Sequence, residues 1–124
     1  MRKSLSTLAV LLAFAVPVFA YGKPAHGGQS IEVDGHHFEL VVEPEAKATH
    51  LDLYITDPKA KVVAMAMVKL QISAPDGQKM ALPLKYGDGH YTGVLTKVAK
   101  GEYKVVALST IAGKKLNSRF TFKL

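Results

Sequence analysis

The chain contains no cysteine. No disulfide can brace it, no thiol nucleophile is available, and no lipid-bearing cysteine lies near residue 20, which excludes a lipoprotein. Beyond the first twenty residues it also lacks helical patterning, because no segment keeps a 3.6-residue apolar period for more than about two turns. Almost no helix is expected. Long apolar runs are missing from the same region, so no stable membrane span is expected there after removal of a leader. The short motifs of common enzyme classes are missing too: no Gly-x-Ser-x-Gly elbow, no His-Glu-x-x-His and no phosphate-cradling glycine loop ahead of a helix. Ser109 and Thr110 sit in strand-like sequence with no histidine or acid close by in the chain. The reading is a binding protein, not an enzyme.

What is present begins with a leader. Arg2 and Lys3 precede an apolar run from Leu8 to Val18 that is too short to cross a bilayer, and Val18-Phe19-Ala20 carries small residues at the positions that set cleavage. A secretory signal peptide over residues 1–20, cut after Ala20, is expected, with a destination outside the cytoplasm. Its removal would leave 104 of the 124 residues and lower the formal charge from +6 to +4, since Arg2 and Lys3 depart with it. One domain of ordinary size remains, large enough to bury its own core.

Residues 21–30 are glycine-rich, with a proline and no apolar period, and are expected as a flexible arm. From residue 31 to residue 124 the apolar side chains alternate. Phe38, Leu40 and Val42 form one set, Leu51, Leu53 and Ile55 the next, then Val68, Leu70 and Ile72, then Met80, Leu82 and Leu84. Asp34-Gly35 is a hairpin dipeptide, and Ala74-Pro75-Asp76-Gly77, Tyr86-Gly87-Asp88-Gly89 and Ala112-Gly113 are further turns. If the second and third strands pair as a hairpin, facing residue numbers sum to about 93, which sets Glu43 across from His50 and Glu39 across from Tyr54. Pro83 has outward parity and suits an edge strand. Tyr103, at the start of the penultimate strand, resembles the tyrosine corner of immunoglobulin-like domains. The expected fold is an immunoglobulin-like antiparallel β-sandwich of seven to eight strands.

Charge is unevenly spread. Residues 31–58 carry seven acids and one lysine, whereas residues 59–124 carry three acids and twelve basic residues. The lysines are scattered along strands, without a run of five or six and without interleaved aromatics. A solvated sheet face is therefore expected, and no nucleic-acid partner.

Four of the five histidines fall between His26 and His50. Imidazole is the commonest protein ligand of zinc, copper and nickel, and carboxylates can complete a site. His26, His36 and His37, with Glu32 and Asp34 beside them, form the leading candidate for a metal ion. A further ligand or an orienting acceptor would come from one of those acids. His50 lies on the next strand towards the other end of the hairpin. Met65 and Met67 share one strand face and offer thioethers that suit Cu(I), or packing against a neighbour. His90, in a turn, is expected to be structural or solvent-facing. An imidazole ligates only when neutral, so such a site loses affinity as pH falls through about 6.5.

The segment from Leu51 to Ile72, with Asp57-Pro58-Lys59, and the later Pro75-Asp76-Gly77, Gly89-His90-Tyr91, Gly101-Glu102-Tyr103 and Gly113-Lys114, resembles the YtkA-like and FixH-like exported bacterial β-sandwich domains. His26-Gly27-Gly28 followed by His37-Phe38-Glu39-Leu40-Val41 is similar to the start of small periplasmic proteins associated with heavy-metal efflux. The resemblance implies a periplasmic accessory domain that handles a transition metal, copper favoured and zinc or nickel possible. The alternative is a module without metal that docks on a periplasmic efflux or assembly complex.

Overall fold

Three two-residue turns fix the pairing of the chain. Asp34-Gly35, Asp88-Gly89 and Ala112-Gly113 each have positive φ at both residues (51° and 78°, 52° and 85°, 52° and 80°), the conformation whose twist matches that of the flanking strands. The structure is a computed structural model that describes residues 25–96 and 99–124. The expected signal, its cleavage position and residues 21–24 of the expected arm lie outside the described residues.

Nine strands follow in order: β1 Gln29–Val33, β2 His36–Pro44, β3 Thr49–Thr56, β4 Ala66–Ser73, β5 Lys79–Pro83, β6 Lys85–Gly87, β7 His90–Leu95, β8 Glu102–Ile111 and β9 Lys114–Lys123. They form two antiparallel sheets, ordered β1-β2-β3-β7-β6 and β5-β4-β8-β9. The fold is thus an all-β sandwich. The β2–β3 register pairs Glu43 with His50 and Glu39 with Tyr54, as the hairpin arithmetic requires. β1 begins at Gln29, two residues ahead of the expected strand start.

The extra strand arises at Leu84. Met80, Leu82 and Leu84 keep one inward parity, yet the chain leaves the second sheet after Pro83 and joins the first as β6. Leu84 is buried at the crossing, and its N–H donates to the Val68 carbonyl at 3.0 Å. An unbroken two-residue period therefore spans a change of sheet.

Between the sheets lie Phe38, Leu51, Leu53, Leu70, Ile72, Val105 and their neighbours, all fully or nearly fully buried. Two tyrosines tie this core to the connecting segments. The Tyr103 hydroxyl donates to the Ala99 carbonyl at 2.6 Å and accepts the Ala99 N–H at 2.7 Å, the back-bond expected of a tyrosine corner. The Tyr91 hydroxyl donates to the Val63 carbonyl at 2.7 Å and accepts the Ala66 N–H at 3.1 Å, pinning the segment that carries the chain from β3 to β4. The Ser109 hydroxyl is buried in the core without a hydrogen-bond partner among the described residues. On one side of the sandwich the Gln29 amide bridges the sheets, donating to the Thr121 carbonyl at 3.0 Å and accepting the Thr121 N–H at 3.1 Å.

Candidate functional site

The outer face of the five-stranded sheet gathers the residues that can carry chemistry. Alternation in β2 and β3 turns Phe38, Leu40, Leu51, Leu53 and Ile55 inward. It therefore turns His37, Glu39, Glu43, His50, Asp52 and Tyr54 outward. His90 begins β7 with outward parity, since Tyr91 is buried.

Glu39 departs from what its parity implies. An outward carboxylate on a strand should be solvated, yet only 6% of the residue is exposed. The cover is the chain's own arm, which returns across β2. Glu39 Oε2 accepts the backbone N–H groups of His26 and Gly28, each at 2.8 Å, and Oε1 lies 2.8 Å from His26 Nδ1. Burial pushes the Glu39 carboxyl up, but the donors from Gly28 and His26 outweigh it and hold the group below the usual carboxylate range. An ionised carboxylate only accepts hydrogen bonds, so the proton of the imidazole contact sits on Nδ1. In the neutral ring, Nε2 then presents a bare lone pair.

The arm is held a second way. The His26 ring stacks on Tyr54 with centroids 3.7 Å apart and planes 9° apart, and Tyr54 stacks on His90 at 4.7 Å and 24°. Burial, followed by the charges of Asp52, Glu39 and Glu43, pushes the Tyr54 hydroxyl up, so it stays protonated at any ordinary pH. Every outward histidine has a carboxylate beside it. His37 Nε2 lies 3.4 Å from Glu32, His50 Nε2 3.3 Å from Glu45 and His90 Nε2 3.6 Å from Asp52.

The expected cluster is brought together only in part. His26 and His37 line one small pocket of about 100 Å³ with Ser30, Glu39, Tyr54 and Thr56, and Glu32 stands against His37. His36 does not join them. It shares the inward parity of Phe38, with its Nδ1 3.2 Å from the Asp34 carbonyl and its ring 6.5 Å from that of Phe38. Asp34 is also turned away, pairing with Lys114 in the neighbouring hairpin, which holds its carboxyl below the usual range. His50 is engaged with Glu45 near the far end of the hairpin. Met67 points outward from the opposite sheet, and Met65 precedes it, 89% exposed. Among the described residues, no three His, Asp or Glu side chains are close enough to hold an ion as they stand. Glu39 lies close to the histidines in sequence and across from Tyr54, but the expected ligand set did not include it, and its hold on the arm through His26 and Gly28 is what the structure adds.

Gly28 makes the return of the arm possible. A Cβ there would lie 2.3 Å from the Leu40 carbonyl oxygen, a backbone atom that cannot move aside cheaply. Gly28→Ala is therefore expected to lift the arm while leaving the sandwich intact. The check is proton NMR: the His26 ring signals, shifted by the Tyr54 face, should move to free-imidazole positions, and unchanged signals would refute the close fit.

No family model matches the chain, and no curated protein matches it. Among solved structures it is similar to the Br derivative of BhCBM56, a carbohydrate-binding module, with a TM-score of 0.53 and 11% sequence identity over 70% of this chain and 91% of that one. At that identity the likeness shows the fold alone.

Proposed function

We propose that the chain is an exported accessory module that binds a transition metal ion, with copper favoured and zinc or nickel as the other candidates. The observation that carries the reading is the His26–Glu39 pair. A carboxylate that fixes Nδ1–H and leaves Nε2 bare is the arrangement that orients histidine ligands and raises their basicity. His37 lines the same pocket, and Glu32 beside it supplies a hard oxygen donor. Two imidazoles with a carboxylate suit Cu(II) or Zn(II). The arm carries one imidazole and the sheet the other, so closing on an ion moves the arm and leaves the core alone. That suits transfer of the ion better than permanent storage. Glu39 acts on the ion only through His26, by holding Nδ1–H while the ion is bound.

The test is titration of the full chain, purified without a histidine tag, with Cu(II), Zn(II) and Ni(II). At least one should bind with a Kd below about 10 μM, roughly −7 kcal/mol. His26→Ala with His37→Ala should abolish that binding, and His36→Ala should leave it unchanged. A parent that binds none of the three at that level refutes the reading. A double variant that binds like the parent moves the ligands elsewhere, with His50 and the Met65–Met67 pair next in line.

A further inference from the structure

Scattered through the sequence, the cations of the second half look like ordinary solvated lysines. The topology gathers them. In the sheet β5-β4-β8-β9, the outward positions include Lys69 on β4, Lys79 on β5, Lys104 on β8, and Lys115, Arg119 and Lys123 on β9. Among the described residues, Glu102 is the one acid on the strands of that face, at its end across from Lys123. Among the described residues, none of these six cations has an ion-pair partner. The opposite face of the sandwich carries Glu32, Glu39, Glu43 and Asp52 against Lys85. The molecule is two-sided in charge.

The basic face is not only charged. An open depression of about 540 Å³ lies on it, with Met67, Pro83 and Leu108 supplying apolar lining and Lys69 and Lys115 standing among them. Met67 is 77% exposed, and the still more exposed Met65 precedes it. Cations around apolar side chains match an amphiphile, whose headgroup is anionic and whose tail is not. We propose that this face docks on anionic phospholipid bilayers. The lysines lie against the headgroups, Met67 and Met65 reach toward the acyl boundary, and the histidine pocket on the other sheet faces solvent.

Other polyanions fit less well. Among the described residues, no aromatic side chain projects from this face to give nucleic-acid bases a platform. Protein interfaces are depleted in lysine at their cores and anchored by buried aromatics, whereas lysine near an anionic leaflet is favourable and unbranched apolar side chains can insert at its boundary. The inference does not depend on metal binding, because the two sites occupy opposite faces.

The experiment is co-sedimentation of the full chain with vesicles of phosphatidylcholine alone and of phosphatidylcholine mixed with phosphatidylglycerol, at about 0.1 M salt, where charges act over about 10 Å. The apolar run from Leu8 to Val18 adds binding to both kinds of vesicle, so the readout is the ratio of the two partition coefficients. A ratio of at least roughly tenfold is expected, collapsing towards one in 1 M salt, where the range falls to about 3 Å. Lys69→Glu with Lys115→Glu should remove most of the preference. Lys47→Glu with Lys85→Glu changes the net charge equally, away from the face, and should leave the preference within about twofold. Met67→Ser should weaken binding to the anionic vesicles severalfold without altering its salt dependence. Equal partition into both vesicles overturns the proposal. So does an equal loss from the two charge-reversed pairs, which would mean that net charge alone acts. Binding of polyglutamate as tight as that of the anionic vesicles, with the same dependence on Lys69 and Lys115, would assign the face to an acidic protein instead.

Discussion

Tyr91→Ala should lower the stability of the sandwich by about 3–5 kcal/mol, and Tyr91→Phe by about 1–3 kcal/mol. The two numbers separate the ring from the hydroxyl. The ring is 1% exposed, so its loss opens a cavity between sheets that cannot fully collapse. The hydroxyl closes two hydrogen bonds to Val63 and Ala66, and its loss leaves a carbonyl and an N–H unpaired in a partly buried segment. Domains of this size are stable by about 5–15 kcal/mol, so the alanine variant approaches the threshold of folding at all. Thermal unfolding reads the difference, at about 4–8 °C per kcal/mol for a domain of up to about 100 residues. Hydrogen exchange in the segment around Val63 should accelerate in the phenylalanine variant more than exchange in β8. Melting of Tyr91→Phe within a degree of the parent would show that the hydroxyl pins nothing.

The second large effect is expected at Glu39. Glu39→Gln keeps the shape but replaces one acceptor oxygen with an NH₂ group, which meets N–H donors from the arm where a carboxylate met them with lone pairs. His26 then loses its fixed tautomer. Metal affinity should fall about tenfold to a hundredfold, as it does when an orienting carboxylate is removed, which is about 1.4–2.7 kcal/mol. Calorimetric titration measures this directly. The metal-free protein gives a second reading through pH. Because the Glu39 carboxyl titrates below its unfolded value of about 4.3, its contribution is fully present above that value and is lost as pH falls through the folded one. Glu39→Gln should lack this acid-labile part and show a flatter stability profile as pH falls below the unfolded carboxyl value. A variant that binds metal like the parent would mean that His26 needs no orientation from Glu39.

Much of the fold can be read from residue order, because the information is local. Asp34-Gly35 demands a tight hairpin, the β2–β3 register follows from one turn length, and Tyr103 announces its own back-bond. The sheet change at Leu84 is invisible to such reading, since the apolar period runs through it unbroken. Glu39 is hidden for a related reason. Its parity is that of a solvated residue, and only a chain reversal at Gly27 and Gly28, laid across the outer face, buries it. The one hint was the Gly-Gly pair after His26, which permits a close approach without stating where. His36 and His37 show the converse. A shared ion required the turn after Gly35 to release them from strand alternation, but β2 begins at His36, so the two face opposite ways. The basic face needed strand order as well, because β4 lies beside β8 in space although β5, β6 and β7 separate them in sequence.

The Gln29 bridge has a consequence for how the molecule meets others of its kind. β9 is the last strand of its sheet, and a terminal strand offers its unused N–H and C=O groups to any extended chain that arrives. At Thr121 both groups are already taken by a side-chain amide, which stands in for one residue of a neighbouring strand. A newcomer adding along β9 meets a plug near the strand's end, and before it a stretch bearing Lys115 and Arg119, whose charges repel a copy of themselves. The other margin of that sheet, β5, ends in Pro83, which has no N–H to give. Side-by-side polymerisation through this sheet is thus obstructed at both borders, by an amide and two cations on one and by an imino acid on the other.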